Sequence, residues 1–333
     1  MELSRGKLLE MYKKMVLIRE FEESLAKEVA PGGYAATGKG NLPGFVHLGV
    51  GQEAVMVGIA APLRLTDWIF AGHREHGLVI ARGADIRRMR AEIFGKATGY
   101  CKGKGGSMHL AVFEKKVMLC DGILGPNQTI NNGIALAIKK KGLTDIAVVM
   151  YGDGAAQRGE FHEALNLAAI WKLPVLSICV NNEYAMSGWV DELCSVKDIS
   201  SRAASYGLPG FTVDGCDVLA VYQAVEEAAK SIRAGKGPVL LELKTTRWRP
   251  HVEGEPDIYR SPQKKEEIRK RDCIKRLGDV LKKKGMATES ELQKLRDEVQ
   301  QELQEAIAFT EKSAYPPLEE ITTDLYYEER RAD

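Results

Sequence analysis

A strand–helix–strand unit in the middle of the chain constrains the fold more than any other feature. The runs 146–151 and 175–180 are short and apolar, and the segment 159–171 between them has a helical pattern that ends before Pro174. Two strands joined through a helix within about thirty residues form a βαβ unit, in which the strands are parallel and the crossover is right-handed. The sequence therefore predicts an α/β fold with a doubly wound, mainly parallel sheet and helices on both faces.

Segments on either side of this unit add further elements, most of them helical. They are helices over residues 4–30, 51–63, 84–98, 129–141 and 217–234, a strand over 239–245, and a highly charged helical region over 262–313. Glycine- or proline-rich loops are predicted at 31–44, 99–110 and 247–262. Loop 99–110 contains four glycines and two lysines, which is typical of a mobile or ligand-facing segment.

No internal repeat or low-complexity linker divides the chain. We therefore expect one domain over residues 1–333, with a helical N-terminal arm at 1–30 and a charged helical C-terminal region at 262–333. The formal net charge is +1, which predicts no nucleic-acid partner. No apolar run reaches 18 residues, so no membrane span is expected. The N-terminus lacks a signal-peptide pattern and the six cysteines form no CxxC pair, which favours free thiols in a reducing cytoplasm.

Two polar turns follow the strands of the βαβ unit. Asp153 lies in a Gly-Asp-Gly turn after the first strand, and Asn182 ends a double asparagine after the second. Ligands of parallel α/β sheets bind beyond the carboxyl ends of the strands, and Mg²⁺ prefers hard oxygen ligands. Asp153, Asn182 and the backbone carbonyl of Tyr184 are therefore candidate Mg²⁺ ligands, while Gly152 and Gly154 allow close approach of a phosphate. Each turn alone is more often only a turn, but the pair flanking one unit is a much stronger indication.

The spacing of these turns resembles the thiamine-diphosphate fingerprint, in which GDG is followed by 26 residues and then NN. More specifically, the chain resembles the alpha subunits of the first component of 2-oxo acid dehydrogenase complexes. The resemblance covers almost the whole chain, through the blocks GFVHLGVGQEA (44–54), GHREHGLVIARG (72–83), GKATGYCKGKGGSMHL (95–110), GILG (122–125), FHEALNLAAIWKLP (161–174), NNEYAMS (181–187), SSRAASYGLPGFTVDGCD (200–217) and GKGP (235–238). It implies thiamine diphosphate and Mg²⁺ as cofactors.

The resemblance also implies roles for individual residues that bind the diphosphate. Arg74 and Arg247 match family arginines that bind the diphosphate, and a guanidinium pairs bidentately with phosphate. His73 stands where the family carries a tyrosine beside Arg74. Gly152, Gly154 and Ala155 fall in the cofactor-binding turn around Asp153, and the family's metal ligands fall on Asp153, Asn182 and Tyr184.

Other matched positions face the organic part of the cofactor or the substrate. The backbone of Gly122 and Leu124 matches the turn facing the aminopyrimidine ring. Met186 matches the apolar side chain that holds thiamine in its bent conformation, although a core role is the alternative. Three histidines match the substrate channel, of which His251 and His76 are the catalytic candidates and His47 lines the pocket. Phe45 matches a pocket-lining position, and Phe45 and His47 are equally compatible with core packing.

A partner follows from the same resemblance. The glutamate that activates the cofactor lies on a separate beta chain in this family, which implies an α2β2 heterotetramer that passes the acyl group to a lipoyl-bearing acyltransferase. The substrate is expected to be acetoin or pyruvate. The blocks HVEGEPDIYR and SSRAASYGLPG look most like those of acetoin dehydrogenase alpha subunits, and pyruvate dehydrogenase alpha subunits are the next most similar. The alpha subunits of branched-chain 2-oxo acid dehydrogenases resemble this chain less well. Two alternatives are a stand-alone two-subunit lyase or ligase and a non-catalytic regulatory subunit.

The chain departs from the family pattern at several positions near the expected site. Besides His73, these are Pro126-Asn127-Gln128-Thr129 after GILG, Gln157-Arg158 after GDGAA, and Pro250 before His251. Such changes put the substrate in doubt more than the cofactor. Val252 and Ile258 occupy positions where mitochondrial pyruvate enzymes carry regulatory serines, which fits a prokaryotic, cytoplasmic enzyme without that control.

Overall fold

The computed structural model describes residues 3–29 and 42–326, and its centre is a six-stranded sheet. The strands are β1 (Trp68–Gly72), β2 (Val117–Asp121), β3 (Ala147–Gly152), β4 (Val175–Asn181), β7 (Gly210–Asp214) and β8 (Val239–Lys244). Their order across the sheet is β2-β1-β3-β4-β8-β7, and every neighbouring pair is parallel. A small antiparallel hairpin, β5 (Tyr184–Ala185) with β6 (Gly188–Trp189), follows β4.

Helices precede, connect and follow these strands. They are α1 (Arg5–Ala26), α2 (Glu53–Ala60), α3 (His76–Ala81), α4 (Ile86–Ile93), α5 (Pro126–Lys140), α6 (Gly159–Ile170), α7 (Val190–Leu193), α8 (Val218–Arg233), α9 (Pro262–Arg269), α10 (Cys273–Lys283) and α11 (Glu289–Lys312). Side chains cap several of them, and α11 begins with a capping box in which Thr288 and Glu291 bond each other's backbone N–H. No helix in the described residues is both long and apolar enough to cross a membrane.

The sheet separates two apolar layers, as a doubly wound fold requires. Val148 and Met150 of β3 belong to the layer that contains α1, α2 and α8, whereas Val149 and Tyr151 belong to the layer that contains α5 and α6. This alternation follows from the two-residue period of a strand. The predicted α/β class with a parallel sheet and helices on both faces is therefore confirmed.

The central strands and the helices lie close to where the sequence predicts them. The three predicted strands are β3, β4 and β8, and the predicted helices are present with ends that differ by a few residues. Helix α5 begins at Pro126, three residues earlier than expected, because proline is well accommodated in the first turn of a helix. Strands β1, β2 and β7 and the β5–β6 hairpin were not predicted. Most of the predicted loop 31–44 and the end of the C-terminal region lie outside the described residues.

The strand order creates a switch point between β1 and β3. From β1 the chain runs to β2 on one side, and it then returns to β3 on the other side of β1. The connections that leave the carboxyl ends of β1 and β3 therefore diverge, which opens a crevice where ligands of such sheets bind. His73 and Arg74 follow β1, and Asp153 follows β3.

Candidate active site

A cavity of about 410 Å³ opens at this switch point. Most of the predicted site residues line it, namely His47, His73, Arg74, Gly122, Leu124, Gly152, Asp153, Gly154, Ala155, Asn182, Tyr184, Met186, Arg247 and His251. Phe45 and His76 are not among the lining residues, and Phe45 is half exposed. The fold thus gathers at one edge residues that are up to about two hundred positions apart in sequence.

Four of the described residues that line the cavity have a buried side-chain oxygen without a hydrogen-bond partner, and two of these residues are predicted metal ligands. The two oxygens are Asp153 Oδ2 and Asn182 Oδ1. The amide nitrogen of Asn182 donates to Gln52 Oε1 at 3.3 Å, which leaves the Asn182 oxygen as the free atom. Burial raises the pKa of Asp153 to about 6. Unpaired buried polar atoms are costly, and these two are the hard donors that Mg²⁺ prefers, so the residues fit the ion.

The third predicted metal ligand has a partner already. The Tyr184 carbonyl accepts a hydrogen bond from Arg247 Nη1 at 3.2 Å. A carbonyl oxygen has two lone pairs, so one acceptor position remains. Close packing shapes this part of the cavity, because a Cβ at Gly154 would lie 2.7 Å from the Ala185 side chain. Glycine is therefore the residue that this turn accommodates.

Two buried guanidinium groups face the same cavity. Arg74 donates to the Leu48 carbonyl at 2.9 Å, and Arg247 donates to the Met186 carbonyl at 2.8 Å and to Tyr259 Oη at 2.9 Å. Within the described residues, neither guanidinium lies within 4.0 Å of a carboxylate. Burial and, secondarily, Arg247 lower the pKa of Arg74 to about 9. Buried cations without counterions favour binding of an anion, and two guanidiniums match a diphosphate.

Three histidines form one wall of the cavity. The ring centroid of His47 lies 4.5 Å from that of His73 and 4.9 Å from that of His251. Burial, together with the nearby Arg74 cation, lowers the pKa of all three, to about 3 for His251. The rings are therefore neutral at physiological pH.

The same rings have nitrogen atoms within 4.8 Å of one another, a spacing seen around metal ions. Two features oppose a cation there. The Nδ1 lone pair of His251 faces Arg74 Nη2 at 3.1 Å, and Arg74 and Arg247 place positive charge on the same cavity. The cluster is therefore better suited to hydrogen bonding than to metal binding.

His76 lies beneath the cavity rather than on its surface. Its Nε2 contacts Ser107 Oγ at 2.9 Å, and its Nδ1 lies 3.4 Å from the Glu22 carboxylate of α1. The same carboxylate accepts a hydrogen bond from the Gly49 amide at 2.9 Å. His76 thus joins α1 to loop 99–110, and its catalytic role remains a prediction.

Loop 99–110 is folded around one buried carboxylate. Glu92 of α4 is fully buried and accepts four backbone N–H bonds, from Cys101 and Gly103 at one oxygen and from Gly105 and Gly106 at the other, at 2.7–3.1 Å. Side chains are excluded at this contact, since a Cβ at Gly99 would lie 2.3 Å from the carboxylate. The loop faces the cavity through Met108.

Sequence reasoning gave no role in the site to several residues that line the cavity, among them Glu75 and Met108, and it identified Asn127 only as a departure from the family pattern near the site. Burial raises the pKa of Glu75 to about 8, and its Oε2 has no partner. Asn127 donates to the Met150 carbonyl at 3.0 Å, while its side-chain oxygen is unpartnered. The available signals were the acidic residue directly after Arg74, which is Glu75, and the polar residue Asn127 in the first turn of α5. Neither signal shows that the residue lies at the cavity, because that depends on the order of the strands in the sheet.

Residues 13–319 match the dehydrogenase E1 component family. The chain belongs to this family. It is 43% identical over 327 residues to the alpha subunit of acetoin:2,6-dichlorophenolindophenol oxidoreductase from Bacillus subtilis, covering 98% of this chain and 95% of that protein. The corresponding Cupriavidus necator subunit is 41% identical over 97% of this chain and 95% of its own length. The pyruvate dehydrogenase E1 component subunit alpha of Rhizobium meliloti is 39% identical over 97% of this chain and 91% of its length.

Membership of the E1 component family confirms the predicted resemblance, and the family implies use of thiamine diphosphate. The cavity agrees with that implication, because in this E1 component chain two buried guanidinium groups, Arg74 and Arg247, line the same cavity as the unpartnered oxygens of Asp153 and Asn182. Its relatives' description as alpha subunits likewise implies a beta-subunit partner.

Proposed function

We propose that the chain is the alpha subunit of a thiamine-diphosphate- and Mg²⁺-dependent oxidoreductase that cleaves a C–C bond next to a carbonyl. Acetoin and pyruvate are the candidate substrates, since the relatives are named for both. The observation that carries the proposal is the pairing of two buried, carboxylate-free guanidiniums with two unpartnered oxygens at the switch point. Thiamine diphosphate, when bound, supplies the electron sink for the cleavage.

The protein's part is binding and positioning. Arg74 and Arg247 would hold the diphosphate, and Asp153 with Asn182 would hold Mg²⁺. The carbonyl of Tyr184 is the proposed third protein ligand. Gly122 and Leu124 would face the pyrimidine ring, and Met186 would support the bent cofactor. Met186 has a positive φ of 54°, a strained conformation typical of functional positions.

A beta subunit would complete the site. Leu124 and Met186 line the cavity yet are exposed, and Ile123 and Trp189 beside them are exposed too. Apolar side chains grouped at the mouth of a polar cavity indicate a surface covered in the assembly. We propose an α2β2 heterotetramer that delivers the acyl group to a lipoyl-bearing acyltransferase.

The test is activity of the chain co-purified with its beta subunit. The complex is assayed for reduction of 2,6-dichlorophenolindophenol with acetoin, pyruvate and branched-chain 2-oxo acids, with thiamine diphosphate and Mg²⁺ added and omitted. We expect cofactor-dependent turnover of acetoin or pyruvate. Turnover that is independent of both cofactors, or none with any substrate, would overturn the proposal.

A variant pair tests the metal site. Asp153→Ala removes a charged oxygen from the cavity and is expected to weaken Mg²⁺-dependent cofactor binding by at least tenfold in isothermal titration. Asp297→Ala removes an exposed carboxylate of α11 that accepts a hydrogen bond from Gln293 and does not line the cavity, and it serves as the control. Equal affinities in the two variants would exclude Asp153 as a ligand.

A further inference from the structure

A buried carboxylate of the central sheet has no part in the proposed function. Glu242 lies on β8 and is fully buried. One of its oxygens accepts a hydrogen bond from Asn181 Nδ2 at 2.8 Å, and the other accepts from the Ser200 backbone N–H at 3.0 Å and from Thr212 Oγ1 at 3.4 Å. Both oxygens are thus engaged by donors of the protein, as a buried carboxylate requires.

Asn181 connects this carboxylate with two of the predicted metal ligands. Its Nδ2 donates to Glu242, while its Oδ1 accepts from the Glu183 backbone N–H at 3.1 Å. Glu183 stands between Asn182 and Tyr184, the two candidate ligands that follow β4. The φ of Glu183 is +75°, a left-handed conformation that the surrounding contacts must stabilise in a residue with a side chain. The carboxylate on β8 therefore helps to fix the backbone that carries both ligands.

A 3₁₀ helix, Ile199–Tyr206 (the bracket helix), joins the same carboxylate to the other metal-ligand turn. Arg202 of the bracket helix donates from Nη1 to the Ala156 carbonyl at 2.6 Å and from Nη2 to Gln157 Oε1 at 2.8 Å. Gln157 in turn donates from Nε2 to the Asp153 carbonyl at 3.2 Å. One short helix is thus bonded, directly or through one further side chain, to the turns on both sides of the expected ion.

We infer that Arg202 and Glu242 are positioning residues that set the spacing between the Asp153 turn and the Asn182 turn, and that this spacing makes the site selective for an ion as small as Mg²⁺. The inference rests on the proposed function, because it takes Asp153 and Asn182 as ligands of one ion. Neither Arg202 nor Glu242 lines the cavity, so each acts only through the residues it holds. Partners that orient metal ligands in this way commonly contribute tenfold or more to metal affinity.

The identity of the ion separates a positioning role from a merely structural one. Mg²⁺ requires near-ideal octahedral geometry with ligands at about 2.0–2.1 Å, whereas Ca²⁺ accepts ligands at about 2.3–2.6 Å in flexible geometry. A change in the spacing of intact ligands therefore weakens binding of Mg²⁺ much more than binding of Ca²⁺. A general loss of fold stability, or the loss of a ligand, weakens binding of both ions.

Three substitutions isolate the two anchors. Arg202→Met removes the donors to the Asp153 turn and keeps an unbranched side chain. Glu242→Gln keeps the shape of the side chain but turns an NH₂ group toward one set of donors, so that either Asn181 or Ser200 loses its acceptor. Arg158→Met is the matched control, because Arg158 directly follows Gln157 but is largely exposed and lies 3.3 Å from Glu160.

The affinity of the α/β complex for thiamine diphosphate is measured by isothermal titration at equal concentrations of Mg²⁺ or Ca²⁺. We expect Arg202→Met and Glu242→Gln to weaken binding by about tenfold or more with Mg²⁺ and by less than about threefold with Ca²⁺. Arg158→Met should change neither affinity. Equal losses with the two ions, or no loss with Mg²⁺, would overturn the inference.

A second measurement needs no cofactor. In amide hydrogen exchange of the cofactor-free complex, we expect faster exchange over residues 153–158 in Arg202→Met and over residues 181–186 in Glu242→Gln, but not in Arg158→Met. Wild-type exchange in both variants would refute the anchoring of the two turns. If the wild-type complex binds thiamine diphosphate with neither ion, the proposed function fails, whereas the exchange rates still show whether the bracket helix holds the turns.

Discussion

The carboxylate of Glu92 is expected to control the order of loop 99–110, and the substitution Glu92→Gln tests this. The four N–H bonds accepted by Glu92 divide equally between its two oxygens. The glutamine side chain retains one oxygen and turns an NH₂ group toward the other pair of amides. Either Cys101 and Gly103 or Gly105 and Gly106 therefore lose their acceptor and face another donor.

The size of the effect follows from these contacts. A hydrogen bond to a charged group stabilises a protein by about 1.5–3 kcal/mol, so the loss of two costs about 3–6 kcal/mol of loop stability. For a single amide that loses one such bond, about 1.5–3 kcal/mol corresponds to about ten- to a hundredfold faster local opening. Met108 belongs to the same loop and lines the cavity, so we also expect kcat/KM to fall by at least about tenfold through misplacement of the cavity wall.

Amide hydrogen exchange of the α/β complex, read by mass spectrometry over peptides of residues 95–112, measures the effect. Glu114→Gln is the matched control, because Glu114 is exposed and its carboxylate makes only a long ion pair, 3.8 Å, with the exposed Arg88 among the described residues. Exchange of loop 99–110 at the wild-type rate in Glu92→Gln would refute the reasoning, as would equal acceleration in the control.

Two further predictions concern Glu75, which lines the cavity, and Gly51, which packs against Trp248. Burial raises the pKa of Glu75 to about 8, so its carboxyl is mostly neutral at pH 7 and becomes negatively charged as the pH rises through 8. The affinity for thiamine diphosphate should therefore fall across pH 7–9 in the wild type and fall less in Glu75→Gln. Parallel titration curves for the two proteins would contradict this. Gly51 has a φ of +95°, and a Cβ there would lie 2.4 Å from the Trp248 ring. Gly51→Ala should therefore lower the free energy of unfolding by about 2–5 kcal/mol. Gly6→Ala is the control, because a Cβ at Gly6 meets open space and should not lower the free energy of unfolding. Denaturant unfolding checks the second pair, and equal midpoints would contradict it.

The centre of the sheet was predictable from the sequence because its strands are buried on both faces. Strands β3, β4 and β8 are nearly continuous apolar runs, which is the pattern of central parallel strands. Strand β7 is an edge strand whose residues are mostly exposed, so its sequence GFTVD carries no strong pattern. Strand β1 is only five residues long and contains a glycine and an alanine, which are weak strand formers.

Because β1 was not predicted, the sequence pattern alone could not place Arg74 at the site. The turns at Asp153 and Asn182 were located by the βαβ unit alone, because both follow predicted strands. Arg74 follows β1, so only resemblance to a family connected it with those turns. Contacts such as Arg74 with His251 join residues 177 positions apart, and no local pattern encodes them. Long-range pairing of this kind depends on strand order, which periodicity does not reveal.

The departures from the family pattern separate according to where their side chains lie. Gln157 does not line the cavity, since it donates to the Asp153 carbonyl at 3.2 Å and accepts from Arg202 at 2.8 Å. Arg158 is largely exposed and lies 3.3 Å from Glu160.

By contrast, His73 and Asn127 both line the cavity, and each has polar atoms without a partner there. Pro250 acts on the backbone instead, because its ring fixes φ directly before His251. An unpartnered polar atom in a cavity must find its partner in the ligand or in water, whereas Gln157 already has both of its partners within the protein. His73 and Asn127 are therefore departures whose side chains reach the cavity, while Gln157 stabilises the turn that carries Asp153.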